Sequence, residues 1–91
     1  MSENGGVRML EADFFEVSDE FVNLANDMMD EWAQPMLSAA IMHAAARFNA
    51  FNYVSQNTRD EPGKVVEFLT AQYRQMLEEA IRDMAGERAT G

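Results

Sequence analysis

Residues 35–56, PMLSAAIMHAAARFNAFNYVSQ, decide the fold. The run contains no acidic residue, and its only full charge is Arg47. Pro35 suits the first turn of a helix, where its missing N–H would have no intrahelical partner anyway. At about 100° per residue, Leu37, Ala40, Ile41, Ala44, Phe48 and Phe51 share one face. Ala39, Met42, Ala46, Ala50 and Tyr53 share a second, roughly opposite face. A helix that is apolar on two sides must be covered on two sides. Its alanines let neighbouring backbones approach closely. This is the expected central helix.

Amphipathic helices are expected on either side of it. Ser18 offers an N-cap, and Asp19 and Glu20 suit the positive end of a helix dipole. Phe21, Leu24, Ala25, Met28 and Trp32 then recur at helical spacing, which predicts a first helix over residues 19–33. Residues 56–63 carry Asn57, Asp60, Pro62 and Gly63 and read as a loop. A third helix is expected from Pro62 to Ala85, with Val66, Leu69, Tyr73, Met76, Leu77, Ala80, Ile81 and Met84 as its buried stripe. Glu78 and Arg82 are spaced for an i, i+4 ion pair, and Gly86 is expected to stop the helix. Strand-like alternation is absent. The predicted class is all-α: a three-helix antiparallel bundle over residues 18–86, preceded by a flexible acidic arm (1–17) and followed by a flexible tail (87–91).

Helices 1 and 3 would cover the Leu37/Ile41/Phe48/Phe51 face. The Ala39/Met42/Ala46/Tyr53 face then needs either the apolar cluster Met9, Leu10, Phe14, Phe15 and Val17 or a second copy of the chain. With 91 residues and no cysteine, one small core is available and no disulfide supports it. A homodimer built around the central helix is therefore expected. Eight methionines fit a thin core that needs adaptable filler.

Charge narrows the partners. The net charge is −9, and residues 1–33 hold nine acids against one base, Arg8, leaving the remainder close to neutral. Such a surface repels phosphate backbones and anionic lipid, so neither direct nucleic-acid binding nor a membrane surface is expected. A solubilising face is the plain reading of the acidic third. A docking face for a basic protein partner is the sharper one. The N-terminus lacks the blocks of a signal peptide, and the expected compartment is the cytoplasm.

The chain offers little chemistry. His43 is the only histidine, so zincin and Glu-x-x-His di-iron patterns cannot be assembled. No cysteine means no thiolate zinc site or thiol nucleophile. The acids at 27, 30 and 31 lack the spacing of an oxygen cage, and no glycine-rich phosphate loop occurs. No catalytic residue, metal or cofactor is expected. His43, Arg47 and Asn49 form the candidate polar edge of the central helix, with a structural partner such as Asp27 or Glu31 as the simpler reading and a ligand pocket as the alternative. Asn49 and Asn52 are expected to make register-fixing hydrogen bonds. Phe14, Phe15 and Phe68 are candidate partner contacts, Phe68 because it falls outside the stripe of its helix.

The block Ala44-Ala45-Ala46-Arg47-Phe48-Asn49-Ala50-Phe51 resembles a small bacterial family of uncharacterised helical proteins, domain of unknown function family 3144. The resemblance extends back to Phe21-Val22-Asn23-Leu24-Ala25-Asn26 and forward to Gln72-Tyr73-Arg74-Gln75-Met76-Leu77-Glu78, covering about residues 18–85. It implies a compact helical protein and supplies no catalytic residue. The segment before residue 18 and the Pro62-Gly63 loop look particular to this sequence. The functional expectation is a non-enzymatic interaction or adaptor module. The alternatives are a small-ligand binder or weak enzyme using the His43/Arg47 flank, and an acidic antagonist of a basic nucleic-acid-binding protein.

Overall fold

A computed structural model describes the backbone of residues 11–90 and the side chains of residues 11–87. Residues 1–10 of the expected arm, and residues 88–91 of the expected tail apart from the backbone to Thr90, lie outside this description. The regular structure among the described residues is all helical, with no strand. A 3₁₀ turn, Glu11–Asp13, leads into α1 (Phe14–Met28), followed by α2 (Gln34–Ser55) and α3 (Pro62–Thr90). The chain divides into two units, Met1–Asn52 and Tyr53–Gly91, with the boundary inside the last turn of α2.

α2 matches its expected bounds to within a residue, with the Leu37 N–H donating to Ala33 O at 3.0 Å to close its first turn. α1 differs at both ends. It begins at Phe14, five residues before the expected start, so Ser18 lies inside the helix and is not its N-cap. Asp13 occupies the N-cap position, without a side-chain capping bond. Two features of the sequence account for the early start. Glu11, Asp13 and Glu16 already supply negative charge at the positive end of the dipole. Phe14 and Val17 also extend the stripe of Phe21, Leu24 and Met28 backwards at alternating spacings of three and four. Phe14–Val17, expected in the arm, are thus the first turn of α1. The helix ends at Met28 and not at residue 33. Its last turn has no basic residue, and continuing would set Asp30 and Glu31 against the negative end of the dipole. A turn replaces it, with Glu31 and Trp32 N–H groups both donating to Met28 O at 3.0 Å.

The α2–α3 loop has its own supports. Asn57 takes φ 54°, a left-handed conformation that asparagine tolerates better than most residues and that commonly terminates helices. The Tyr53 hydroxyl donates to the Asp60 carbonyl at 2.5 Å, and the Asp60 N–H donates to Thr58 Oγ1 at 3.2 Å. Tyr53 is thereby a loop staple as well as a member of the second α2 face.

α3 runs through Gly86 to Thr90, so glycine does not stop it. A helical glycine costs only about 1 kcal/mol relative to alanine, and Glu87, Arg88 and Ala89 are good helix formers. Glu78 pairs with Arg74 at 3.2 Å, and not with the expected Arg82. Gln75 and Glu79 add a second i, i+4 bond at 3.2 Å.

Candidate functional site

Leu37 is the single buried residue among those described, at 7% exposure. Apolar faces that would ordinarily form a core are exposed instead, and they dominate the candidate surfaces. On α1 the stripe Phe14, Val17, Phe21, Leu24 and Met28 has the spacing of a coiled-coil seam. Phe21 is 67% exposed and Leu24 59%. The Phe14 and Phe15 rings meet edge to face, with centroids 5.2 Å apart.

On α2, Ile41, Phe48 and Phe51 of the first face and Met42 of the second are all exposed. The Phe48 and Phe51 rings stack with centroids 6.3 Å apart and planes inclined by 29°. They form a continuous aromatic surface one turn long. On α3 only Leu69 and Ala80 of the expected stripe are half-buried, as is Val65 outside it, while Val66, Tyr73, Met76, Leu77, Ile81 and Met84 are exposed.

The polar candidates do not converge. His43 and Arg47 stand one turn apart on one flank of α2, both exposed. Asn49 is two residues beyond Arg47, which on a continuous helix carries it about 200° around the axis. It lies on the opposite flank, near Ser38 and Asn52. The three residues therefore do not form one cluster. Asp27 and Glu31 are exposed as well, and among the described residues no ion pair joins them to His43 or Arg47. Asn49 is exposed and Asn52 half-buried. Phe14, Phe15 and Phe68 are exposed, Phe15 at 73% and Phe68 at 63%.

Among the described residues, no group of three or more histidine, cysteine, aspartate or glutamate side chains could hold a metal ion. None of their helices is long and apolar enough to cross a membrane. Val17 was legible as apolar from the sequence, but its place on the α1 stripe was hidden by setting the helix start at Ser18. The alternating spacing carried back through Val17 to Phe14 was the signal that could have found it.

No curated protein and no solved structure matches the chain significantly. A family model does match, over residues 14–85. The match spans Phe14–Val17 and the Pro62-Gly63 loop and leaves residues 1–13 outside it. It starts at the first residue of α1 and ends inside α3, which makes all three helices part of a shared pattern. On that extent the chain belongs to the family described as Protein of unknown function (DUF3144).

Proposed function

We propose that this protein is a non-enzymatic interaction module that completes its helical packing by association, first of all with a second copy of itself through α2. The observation that supports this reading is the exposure of apolar residues on both faces of α2, where Leu37 is the only buried side chain among the described residues. Charge favours self-pairing there. α2 has no acid, and Arg47 is its only full charge, so two copies bring together almost no repulsion. Ala39, Ala46 and Ala50 allow the two backbones to come close.

An antiparallel arrangement of helices contributed by two copies would cover the faces that a single copy leaves bare.

Sedimentation equilibrium of the intact chain tests the reading. The wild-type chain is expected as a dimer at tens of micromolar. Ala46→Glu, which places a charge on the small-residue face while keeping high helix propensity, is expected as a monomer with unchanged helical circular dichroism. A wild-type chain that stays monomeric throughout would overturn the proposal.

A further inference from the structure

We infer that the exposed face of α1 is a docking surface for an amphipathic helix with basic edges on a separate partner protein. The inference rests on the reading above that exposed helix faces are association surfaces, and it adds the chemistry of one occupant. The face has two parts. Phe14, Val17, Phe21, Leu24 and Met28 form the apolar seam, all exposed. Glu16, Glu20 and Asp27 lie along one edge of it, within about 40° of each other around the axis, and all three are exposed.

Nothing on α1 neutralises that edge. The helix contains no lysine or arginine, and none occurs anywhere between Arg8 and Arg47. Glu16 and Glu20 are four residues apart, a like-charge spacing that weakens a helix on its own.

The chain cannot supply the missing charge from its other helices. α1 carries four acids and no base. α2 offers Arg47 alone, and α3 holds four bases against five acids. An antiparallel α1–α1 pair would set Glu20 and Asp27 against their own copies, which such flanking positions disfavour. The seam calls for an apolar helix, and the edge calls for lysine or arginine beside it. The two requirements together specify a partner helix that no segment of this chain provides.

The test uses the intact chain and three fluorescein-labelled peptides read by anisotropy. One has leucine at the seam positions and lysine at the flanking positions of a heptad pattern, one replaces the lysines by glutamate, and one scrambles the lysine peptide so that the seam is lost. The lysine-flanked peptide is expected to bind at least about tenfold more tightly than the other two. Its affinity should fall about tenfold or more as salt rises from about 0.05 to 0.5 M, where the Debye length contracts. The triple variant E16K/E20K/D27K, with helical content checked by circular dichroism, is expected to invert the preference toward the glutamate peptide. Phe21→Ser is expected to weaken binding of the lysine peptide without changing its salt dependence. Equal binding of all three peptides, binding of none, or an unchanged preference in the triple variant would overturn the inference. Sedimentation of the same samples separates the two claims. A dimer that ignores the lysine peptide overturns the α1 inference alone, and a monomer that binds it overturns the α2 reading alone.

Discussion

Two residues in this protein, Tyr53 and Asn57, act as local fasteners, Gly86 leaves its helix looser, and each has a measurable consequence. Tyr53 donates its hydroxyl to the Asp60 carbonyl across the α2–α3 loop. Tyr53→Phe removes that bond and little else. The expected cost is about 0.5–1.5 kcal/mol of local stability, seen as faster hydrogen exchange for residues 56–61 with the helices unchanged. Asn57 holds a left-handed backbone at φ 54°. Asn57→Val should strain that turn by about 1–2 kcal/mol, lowering the loop protection further, whereas Asn57→Gly should be tolerated. Gly86 lies within α3, and a Cβ added there meets nothing within 4 Å. Gly86→Ala is therefore expected to raise the helicity of the C-terminal turns and to stabilise α3 by about 0.5–1 kcal/mol, measured by thermal circular dichroism. Neither the Tyr53 bond nor the Asn57 conformation could be read from the sequence, because both depend on where the loop carries Asp60 and Thr58. The position of Phe68 off the stripe of its helix was legible, but exposure does not single it out, because stripe residues such as Phe21 and Ile81 are exposed as well.

At the scale of elements, existence and type were legible and ends were not. α2 announced itself through Pro35, the acid-free run and two apolar faces, and its observed limits follow. The cap signal at Ser18 and the spacing out to Trp32 place α1 five residues late at each end. The dipole argument that favoured Asp19 and Glu20 applies equally to Glu11, Asp13 and Glu16 one turn earlier, and the stripe through Phe14 and Val17 decides between them. Gly86 was read as a stop, although one glycine costs less than several good helix formers behind it return. The expected Glu78–Arg82 pair shows a different limit. Arg74 and Arg82 are both one turn from Glu78, so spacing alone does not choose between them. The Arg74–Glu78 pair itself is exposed on both sides. Arg74→Ala is expected to cost no more than about 0.5 kcal/mol, a difference that should vanish in high salt when followed by thermal unfolding.

For the whole molecule, the opposition between α1 and α2 matters most. Both expose apolar surface, but α2 is almost uncharged and α1 is acidic along one edge. Pairing like with like is therefore open to α2 and obstructed for α1, and the two helices should choose different partners. The sequence showed that α2 needed two covers and that the charge was concentrated in the first third. The same 100° per residue already separates Asn49 from His43 and Arg47 in the sequence, and the continuous α2 helix places them on two flanks. That division weakens a single polar site and leaves the apolar faces as the feature to explain.

The central claim is that α2 pairs with a second copy, and sedimentation equilibrium of the intact wild-type chain beside Ala46→Glu tests it most directly. The account predicts a species of twice the 10.3 kDa chain mass for the wild type at tens of micromolar, and the chain mass itself for the variant with its helical content intact. A wild-type chain that sediments as a monomer across that range, or a variant that dimerises as strongly as the wild type, would contradict it.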